Sequence, residues 1–319
     1  MVGKHTNHHP RFTIHTMNDA TTLQLRPLIQ LRAAARQIEL GAERLARSTQ
    51  LGGYRSVYRG RGLEFDEVRL YQEGDDIRSI DWRVTARRGK PHTKLFREER
   101  ERPILLLIDL HPGMYFGSTI QLKSVLAGRL SALLGWAAVH SGDRVGGIVT
   151  SATGEQVIPP TTREQALLRL LAAMVELQPR QADAPSSGGS DHAIERLAHL
   201  AHPGTLVILL SDFQQISAAA EPALQQLSLH NDLIFGFLYD PLEANPPHHG
   251  AYPVTDRLRN WILHSGDQSV QQRWQQQFTQ HRDATRERCR RNRAHWMEIS
   301  TADPLLHTLQ LGLQRRQHP

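Results

Sequence analysis

The 319-residue sequence contains one cysteine, Cys289, so it cannot form an intramolecular disulfide and offers no cysteine framework for a structural metal. Its apolar runs fall short of the roughly 18 residues that a membrane-spanning helix needs. The first twenty residues lack the apolar core of a secretory signal and are rich in His, Thr and Asn, which predicts a flexible tail over residues 1–20. From these absences we expect a cytoplasmic protein with no membrane span.

The short motifs of common catalytic sites are also missing. The sequence has no glycine-rich phosphate loop, no zinc-ligand spacing and no Ser/His/Asp nucleophile motif. We therefore expect no catalytic residues and no cofactor, with Mg²⁺ the one ion that the sequence leaves open. The formal net charge of +6 leaves acidic partners open as well, because net charge bears on association rather than on fold.

Apolar segments of strand length alternate with segments of helical periodicity after residue 100. The most apolar is PILLLIDL at Pro103–Leu110, and residues 144–150, 204–210 and 231–238 repeat the pattern. Such runs are typical of strands that are buried on both faces of a parallel sheet. The alternation predicts an α/β fold: a doubly wound, mostly parallel sheet with helices on both faces. Ahead of the sheet, an amphipathic period predicts one helix over residues 23–46.

Residues 59–96 combine glycines, aromatic side chains and charges of both signs at high density. Because guanidinium groups bind carboxylates in a bidentate geometry, this segment is predicted to fold as a self-neutralising network. A structural network and a functional site are both open readings of such a cluster. The run RGRGLEFDEVRLYQEGDDIRSIDWRVTAR within it resembles the defining segment of the domain-of-unknown-function 58 (DUF58) family. The matching residues are Gly62, Glu64, Phe65, Arg69, Tyr71, Gly74, Asp75, Asp76, Arg78, Ile80, Asp81, Trp82, Ala86 and Arg87.

The resemblance implies a domain similar to von Willebrand factor A after this run, and it implies no established reaction. It divides the chain into a tail (1–20), an N-terminal helix with the charged DUF58 segment (21–100) and a von Willebrand factor A-like domain (101–319). It further implies a non-enzymatic adaptor that works beside a MoxR-type AAA+ ATPase in the assembly or maturation of protein complexes.

A candidate ion site lies at the carboxyl ends of the predicted strands. Its pattern is similar to the metal-ion-dependent adhesion site of von Willebrand factor A domains, which uses Asp-x-Ser-x-Ser, a Thr and a later Asp. Asp109 and Asp212 match, Ser190 stands in place of the Thr, and His111 and Gly113 replace the two serines. Since Mg²⁺ prefers an octahedral shell of oxygens, we predict a degenerate site with weak or absent Mg²⁺ binding. Alternatively, Asp109 and Asp212 only satisfy nearby backbone groups.

A second hypothesis is a nucleic-acid-binding or nuclease-like protein. The acidic residues Asp75, Asp76 and Asp81 with Lys94 could hold Mg²⁺ for phosphodiester attack, although the interleaved arginines would neutralise them. A basic block near Trp296 could bind a phosphate backbone or simply form a solvated helix end. Its members are Arg282, Arg286, Arg288, Arg290, Arg291 and Arg293.

Overall fold

The computed structural model describes residues 18–40, 63–72, 80–98, 101–162, 164–178, 190–247, 250–255 and 260–317. The chain divides into two compact units, Ala42–Glu101 and a larger one made of Met1–Gly41 with Arg102–Pro319. None of the helices in these described ranges is both long enough and apolar enough to cross a membrane.

The described helices and strands follow one another in the order of the prediction. In the first half they are α1 (Asn18–Thr21), α2 (Leu25–Gln30), α3 (Arg32–Ala35), β1 (Leu63–Leu70), α4 (Trp82–Arg88), β2 (His92–Glu98), β3 (Pro103–Leu110), α5 (Lys123–His140), β4 (Arg144–Ser151), β5 (Gly154–Thr161) and α6 (Glu164–Leu177). In the second half they are α7 (Asp191–Leu200), β6 (Leu206–Ser211), α8 (Glu221–His230), β7 (Asp232–Tyr239), α9 (Pro241–Ala244), β8 (Ala251–Thr255), β9 (Asn260–His264), α10 (Gln268–Arg291), β10 (His295–Ser300) and α11 (Leu305–Gln317). Short 3₁₀ turns at Pro112–Met114 and Ala218–Ala220 precede α5 and α8.

A six-stranded sheet in the order β10-β7-β6-β3-β4-β5 forms the centre of the larger unit. All neighbouring pairs are parallel except β4–β5, which places β5 antiparallel at one edge. The predicted fold class, a doubly wound and mostly parallel sheet, is therefore confirmed. The order of the strands reverses between β3 and β6, and in open α/β sheets ligands bind beyond the carboxyl ends of the strands at such a switch point.

Each face of the sheet is covered by its own layer of helices, because side chains alternate between the faces of a strand. Ile104, Leu106 and Ile108 of β3 pack in a core with α5, α6 and α11. Leu105 and Leu107 face the opposite core, which α7, α8 and the end of α10 complete. Burial on both faces explains why the sequence of β3 is apolar throughout.

The N-terminal helices belong to the larger unit, whereas the prediction grouped them with the charged segment. Leu23, Leu28 and Ala35 are buried in the same core as α5. The Trp136 Nε1 group of α5 donates to the Leu28 carbonyl at 3.2 Å. This apolar cover explains why α5 is buried on nearly all sides.

The predicted single helix over residues 23–46 is also corrected, since the structure divides its described part into α2 and α3. The second of these helices ends in tight turns, in which the N–H groups of Gln37 and Ile38 donate to carbonyls only three residues back. Residues 41–46 lie outside the described part of the chain.

In the smaller unit, β1 and β2 form an antiparallel pair with α4 between them in sequence. Asp81 caps α4, because its Oδ1 accepts hydrogen bonds from the N–H groups of Arg83 at 3.0 Å and Val84 at 3.1 Å. Gly89 ends the helix in the left-handed conformation with φ of 68°.

Candidate functional site

The switch point between β3 and β6 holds a buried set of polar side chains, here called the switch-point cluster. Its members are Asp109, His111, Lys123, Ser190, Ser211, Asp212, Asp240 and Glu243. They come from the ends of β3, β6 and β7 and from the first turns of α5 and α9, and Ser190 precedes α7. Parallel strands bring their carboxyl ends to one edge, which explains why residues so distant in sequence meet here.

Asp109 stands at the centre of the β3 end and is fully buried. Its Oδ1 accepts hydrogen bonds from the backbone N–H of His111 at 2.9 Å and from His111 Nδ1 at 2.7 Å. Its Oδ2 accepts a hydrogen bond from Ser211 Oγ at 2.5 Å, across the junction of β3 and β6. Ser190 Oγ lies 3.4 Å from the same Nδ1 of His111. Both oxygens of this carboxylate are therefore bound to groups of the protein.

Lys123 opens α5 and carries a buried ammonium group that is 1% exposed. Its Nζ donates to Asp212 Oδ2 at 2.8 Å and to Glu243 Oε1 at 2.7 Å. Burial alone would lower the pKa of Lys123, but the two carboxylates favour the charged form more strongly, so the pKa is raised. The remaining oxygen of Asp212 accepts from the N–H of Gln214 at 3.0 Å.

Asp240, at the end of β7, is the most heavily hydrogen-bonded carboxylate of the cluster. Oδ1 accepts from Ser118 Oγ at 2.5 Å and from the N–H of Leu242 at 2.9 Å, and Oδ2 accepts from the N–H of Ser118 at 2.8 Å and from Thr301 Oγ1 at 2.5 Å. Burial alone would raise the pKa of Asp240, but these hydrogen bonds outweigh it and lower the pKa. Glu243 Oε2 accepts from the N–H of Asp240 at 2.8 Å, which connects this group to Lys123.

The predicted ion-site residues thus lie at one edge of the sheet, but their oxygens do not fit a resident Mg²⁺. All four carboxylate oxygens of Asp109 and Asp212 already accept hydrogen bonds from protein donors. A Cβ atom on Gly113, where the adhesion motif has its second Ser, would lie 3.1 Å from Asp212 Oδ2. Within the described ranges, no three His, Cys, Asp or Glu side chains are arranged to hold a metal. An octahedral shell would have to displace these donors, including the ammonium of Lys123.

Above the cluster, the loop between β3 and α5 presents two apolar side chains, Phe116 at 38% exposure and Ile120 at 40%. Ser118 fastens this loop to Asp240, and the N–H of Lys123 donates to the Phe116 carbonyl at 2.8 Å. Gly117 permits the tight path, because an added Cβ would lie 2.3 Å from the Gln121 carbonyl oxygen. The loop therefore holds its apolar side chains on a firm support.

The comparison with known families agrees with the charged segment and the sheet. The family described as "Protein of unknown function DUF58" matches residues 67–284. The chain belongs to the DUF58 family. An uncharacterised protein of Mycobacterium tuberculosis and one of Mycobacterium bovis are each 28% identical to this DUF58 chain over 230 residues, which make up 71% of either sequence.

Solved structures similar to this DUF58 protein are distant from it. BatB of Bacteroides thetaiotaomicron has 13% identity and a TM-score of 0.41, covering 68% of this chain and 100% of that one. An aerotolerance-related membrane protein of Bacteroides fragilis has 15% identity and a TM-score of 0.42, covering 67% and 99%. A von Willebrand factor type A protein of Catenulispora acidiphila has 12% identity and a TM-score of 0.36, covering 70% and 43%. Scores this low carry no argument, so the description of the fold rests on the strand order itself.

Five residues of the DUF58 motif can be described with their side chains. Asp81 caps α4, and Trp82 follows it with 67% of its surface exposed. Arg69 donates to the Leu70 carbonyl at 3.1 Å, and the N–H of Tyr71 donates to Pro91. Arg87 lies in the last turn of α4, where a positive charge suits the helix dipole. Gly62, Gly74, Asp75, Asp76, Arg78 and the side chains of Glu64 and Phe65 lie outside the described part of the chain.

The basic block of α10 has acidic partners within this DUF58 chain. Arg288 Nε donates to Glu221 Oε1 at 2.6 Å. Arg290 binds Glu287 through two hydrogen bonds of 2.8 and 2.7 Å. Arg282 pairs with its neighbour Asp283 at 3.0 Å. These arginines are partly neutralised before any phosphate backbone could approach.

Lys123, Asp240 and Glu243 are the cluster members that the sequence analysis missed. A signal for Lys123 was available, since it opens an otherwise apolar helix in which Arg129 is the next charged residue. Asp240 was seen only as the end of a strand. Its four hydrogen-bond donors come from separate parts of the chain, and no spacing in the sequence announces them.

Proposed function

We propose that this DUF58 protein is a non-enzymatic interaction protein that presents the carboxyl edge of its sheet to a protein partner. The observation that carries the proposal is the pair Phe116 and Ile120, exposed on a loop that Ser118 fastens to the buried carboxylate of Asp240. Interface hot spots are apolar or aromatic side chains on a rigid support, surrounded by groups that exclude water. This loop offers such a pair above a polar cluster that is already saturated.

The chemistry of the cluster supports a role without a reaction. A general acid or base works best with a pKa near the operating pH and must reach the substrate. The pKa of Lys123 is raised and that of Asp240 is lowered, so both shifts lead away from neutrality. Both side chains, and that of Asp109, are buried and bound to groups of the protein. A cluster of this kind braces a surface and leaves no group free for proton transfer or nucleophilic attack.

The resemblance to the DUF58 family implies the class of partner, a MoxR-type AAA+ ATPase. We accordingly propose that the chain acts in the cytoplasm as an adaptor in the assembly or maturation of protein complexes. The proposal predicts that tagged, full-length protein co-purifies with such an ATPase at physiological salt, and that the purified chain alone turns over no substrate.

The decisive experiment compares two surfaces of the same chain. Replacing Phe116 and Ile120 together with Asp should weaken capture of the partner at least about tenfold, equivalent to about 1.4 kcal/mol of binding free energy. The matched control is Leu229→Asp, because Leu229 is 74% exposed but lies near the end of α8, at the opposite edge of the sheet. Equal capture by the two variants would refute the proposed surface.

The same pull-down discriminates the nucleic-acid hypothesis. That hypothesis predicts steeply salt-dependent recovery of DNA or RNA, which the double change Arg290→Glu and Arg291→Glu would abolish. The pairing of Arg290 with Glu287 favours little such binding. Recovery of nucleic acid alone at physiological salt, lost in that variant, would replace the adaptor proposal.

A further inference from the structure

We propose that the ammonium group of Lys123 is the resident cation of the switch-point cluster, holding Asp212 and Glu243 together in the place where an adhesion-type site would use a divalent metal ion. The proposal concerns what neutralises the cluster and does not depend on the identity of any partner. Its readout is thermal stability, so its failure can be told apart from failure of the capture experiment.

The geometry around Nζ is that of a fully committed cation. An ammonium has three donors, and two of them bind carboxylates from different loops at 2.8 and 2.7 Å. Asp212 follows β6 and Glu243 lies in α9, so Lys123 joins two strand ends that have no contact through the backbone ladder of the sheet. With Lys123 at 1% exposure, water contributes little to holding the three charges together.

The position of Lys123 in its helix strengthens the argument. It is the first residue of α5, where the partial positive charge of the helix N-terminus opposes a cation. The side chain is therefore held against both burial and the helix dipole, and the two carboxylates are the groups that overcome these costs. A residue placed there only for packing or solubility would not need to be charged.

Few oxygens remain for a metal ion beside Lys123. Asp109 accepts three hydrogen bonds from His111 and Ser211, and the second oxygen of Glu243 accepts from the N–H of Asp240. A divalent ion at Asp212 would also meet the positive charge of Nζ, bound to Oδ2 at 2.8 Å. The cluster is complete with its own cation.

The test is the melting temperature of the full chain in Mg²⁺, Mn²⁺ or Ca²⁺ chloride, compared with NaCl of equal ionic strength. Wild type should show no shift specific to the divalent ions. Lys123→Ala should melt lower, and the divalent ions should raise its Tm, because Asp212 and Glu243 then face each other across an emptied space. A saturable rise of the wild-type Tm in Mg²⁺ that Asp212→Asn abolishes would overturn the proposal, as would a Lys123→Ala variant that responds no more than wild type.

A control on the same helix separates loss of the cation from loss of any basic contact. Arg129 of α5 donates to Gln121 Oε1 at 2.7 Å and to the Asp19 carbonyl at 3.0 Å, and neither partner is a carboxylate. Arg129→Met should therefore lower the Tm without creating a response to divalent ions. A response in Arg129→Met equal to that in Lys123→Ala would count against the assignment.

A second comparison keeps the proposal testable if Lys123→Ala does not fold. The double variant Lys123→Met/Asp212→Asn removes the ammonium together with its most buried carboxylate, so no unpaired charge remains at Asp212. It should melt above the single variant Lys123→Met. A double variant that melts no higher than Lys123→Met would show that the two side chains are not a coupled pair.

Discussion

Replacing Asp240 with Asn removes one charge from the switch-point cluster while keeping the size of the side chain. Two pairs of donors converge on the carboxylate, and each pair contains one hydroxyl and one backbone N–H. Whichever way the Asn amide is turned, its NH₂ group faces one of these pairs. The hydroxyl of that pair can rotate and accept a hydrogen bond, but the backbone N–H of Ser118 or Leu242 cannot.

The expected cost follows from that one orphaned donor. An unsatisfied buried N–H costs about 1–3 kcal/mol, and the remaining hydrogen bonds weaken because their acceptor is no longer charged. Relief of the burial of the carboxylate offsets part of the loss. We expect the free energy of unfolding at neutral pH to fall by about 2–4 kcal/mol. At roughly 2 °C per kcal/mol for a chain of this size, the Tm should fall by about 4–8 °C.

The pH dependence has a defined sign. The folded-state pKa of Asp240 is lowered from its ordinary value of 3.8, so its stabilising contribution is present above that value and is lost as the pH falls through the folded pKa. The difference in stability between wild type and Asp240→Asn should therefore be constant near neutral pH. It should shrink only below the ordinary value, where the unfolded carboxyl takes up its proton first.

The assay is thermal and denaturant unfolding of both proteins across this pH range. The control is Asp267→Asn, because Asp267 also accepts hydrogen bonds from backbone and is fully exposed at the start of α10, where Asn is an equally good cap. The control should leave the Tm almost unchanged. An Asp240→Asn variant as stable as this control, or a difference that grows as the pH is lowered, would refute the reasoning.

Two further predictions concern sites away from the cluster. Asp81→Ala should remove the cap of α4 and destabilise that helix by roughly 0.5–2 kcal/mol, seen as faster hydrogen exchange of the α4 amides with α8 unaffected; unchanged exchange in α4 would contradict the capping role. Cys289 is buried, its Sγ donates to the Ala294 carbonyl, and burial raises its pKa to about 12. The native protein should therefore react far more slowly with a thiol reagent than the unfolded chain, and rapid stoichiometric labelling of the native form would show that the thiol is accessible.

Much of the sheet could be predicted, because the patterns that specify it are local. The continuous apolar run of β3 indicated a strand buried on both faces, and β3 has β4 and β6 as neighbours. Pro159 and Pro160 indicated an edge strand, and β5 pairs with β4 at the edge of the sheet. The first helices were harder to place, since an amphipathic pattern shows that an apolar face exists but not which core receives it.

The chemistry at the edge of the sheet was predicted only in part. That Asp109 and Asp212 lie at the same edge followed from the sequence, because parallel strands carry their carboxyl ends together. The bonds that Lys123 makes span 89 and 120 residues, and the bonds from Ser118 to Asp240 span 122 residues. No local pattern encodes a partner at that distance.

Hydrophobic periodicity and strand length therefore determined the fold class and the edge at which polar groups gather, since both depend on neighbours along the chain. The tertiary structure decided that a lysine lies between the carboxylates and that Phe116 and Ile120 stand on a fastened loop. Charges pair according to distance in space, and only packing sets that distance.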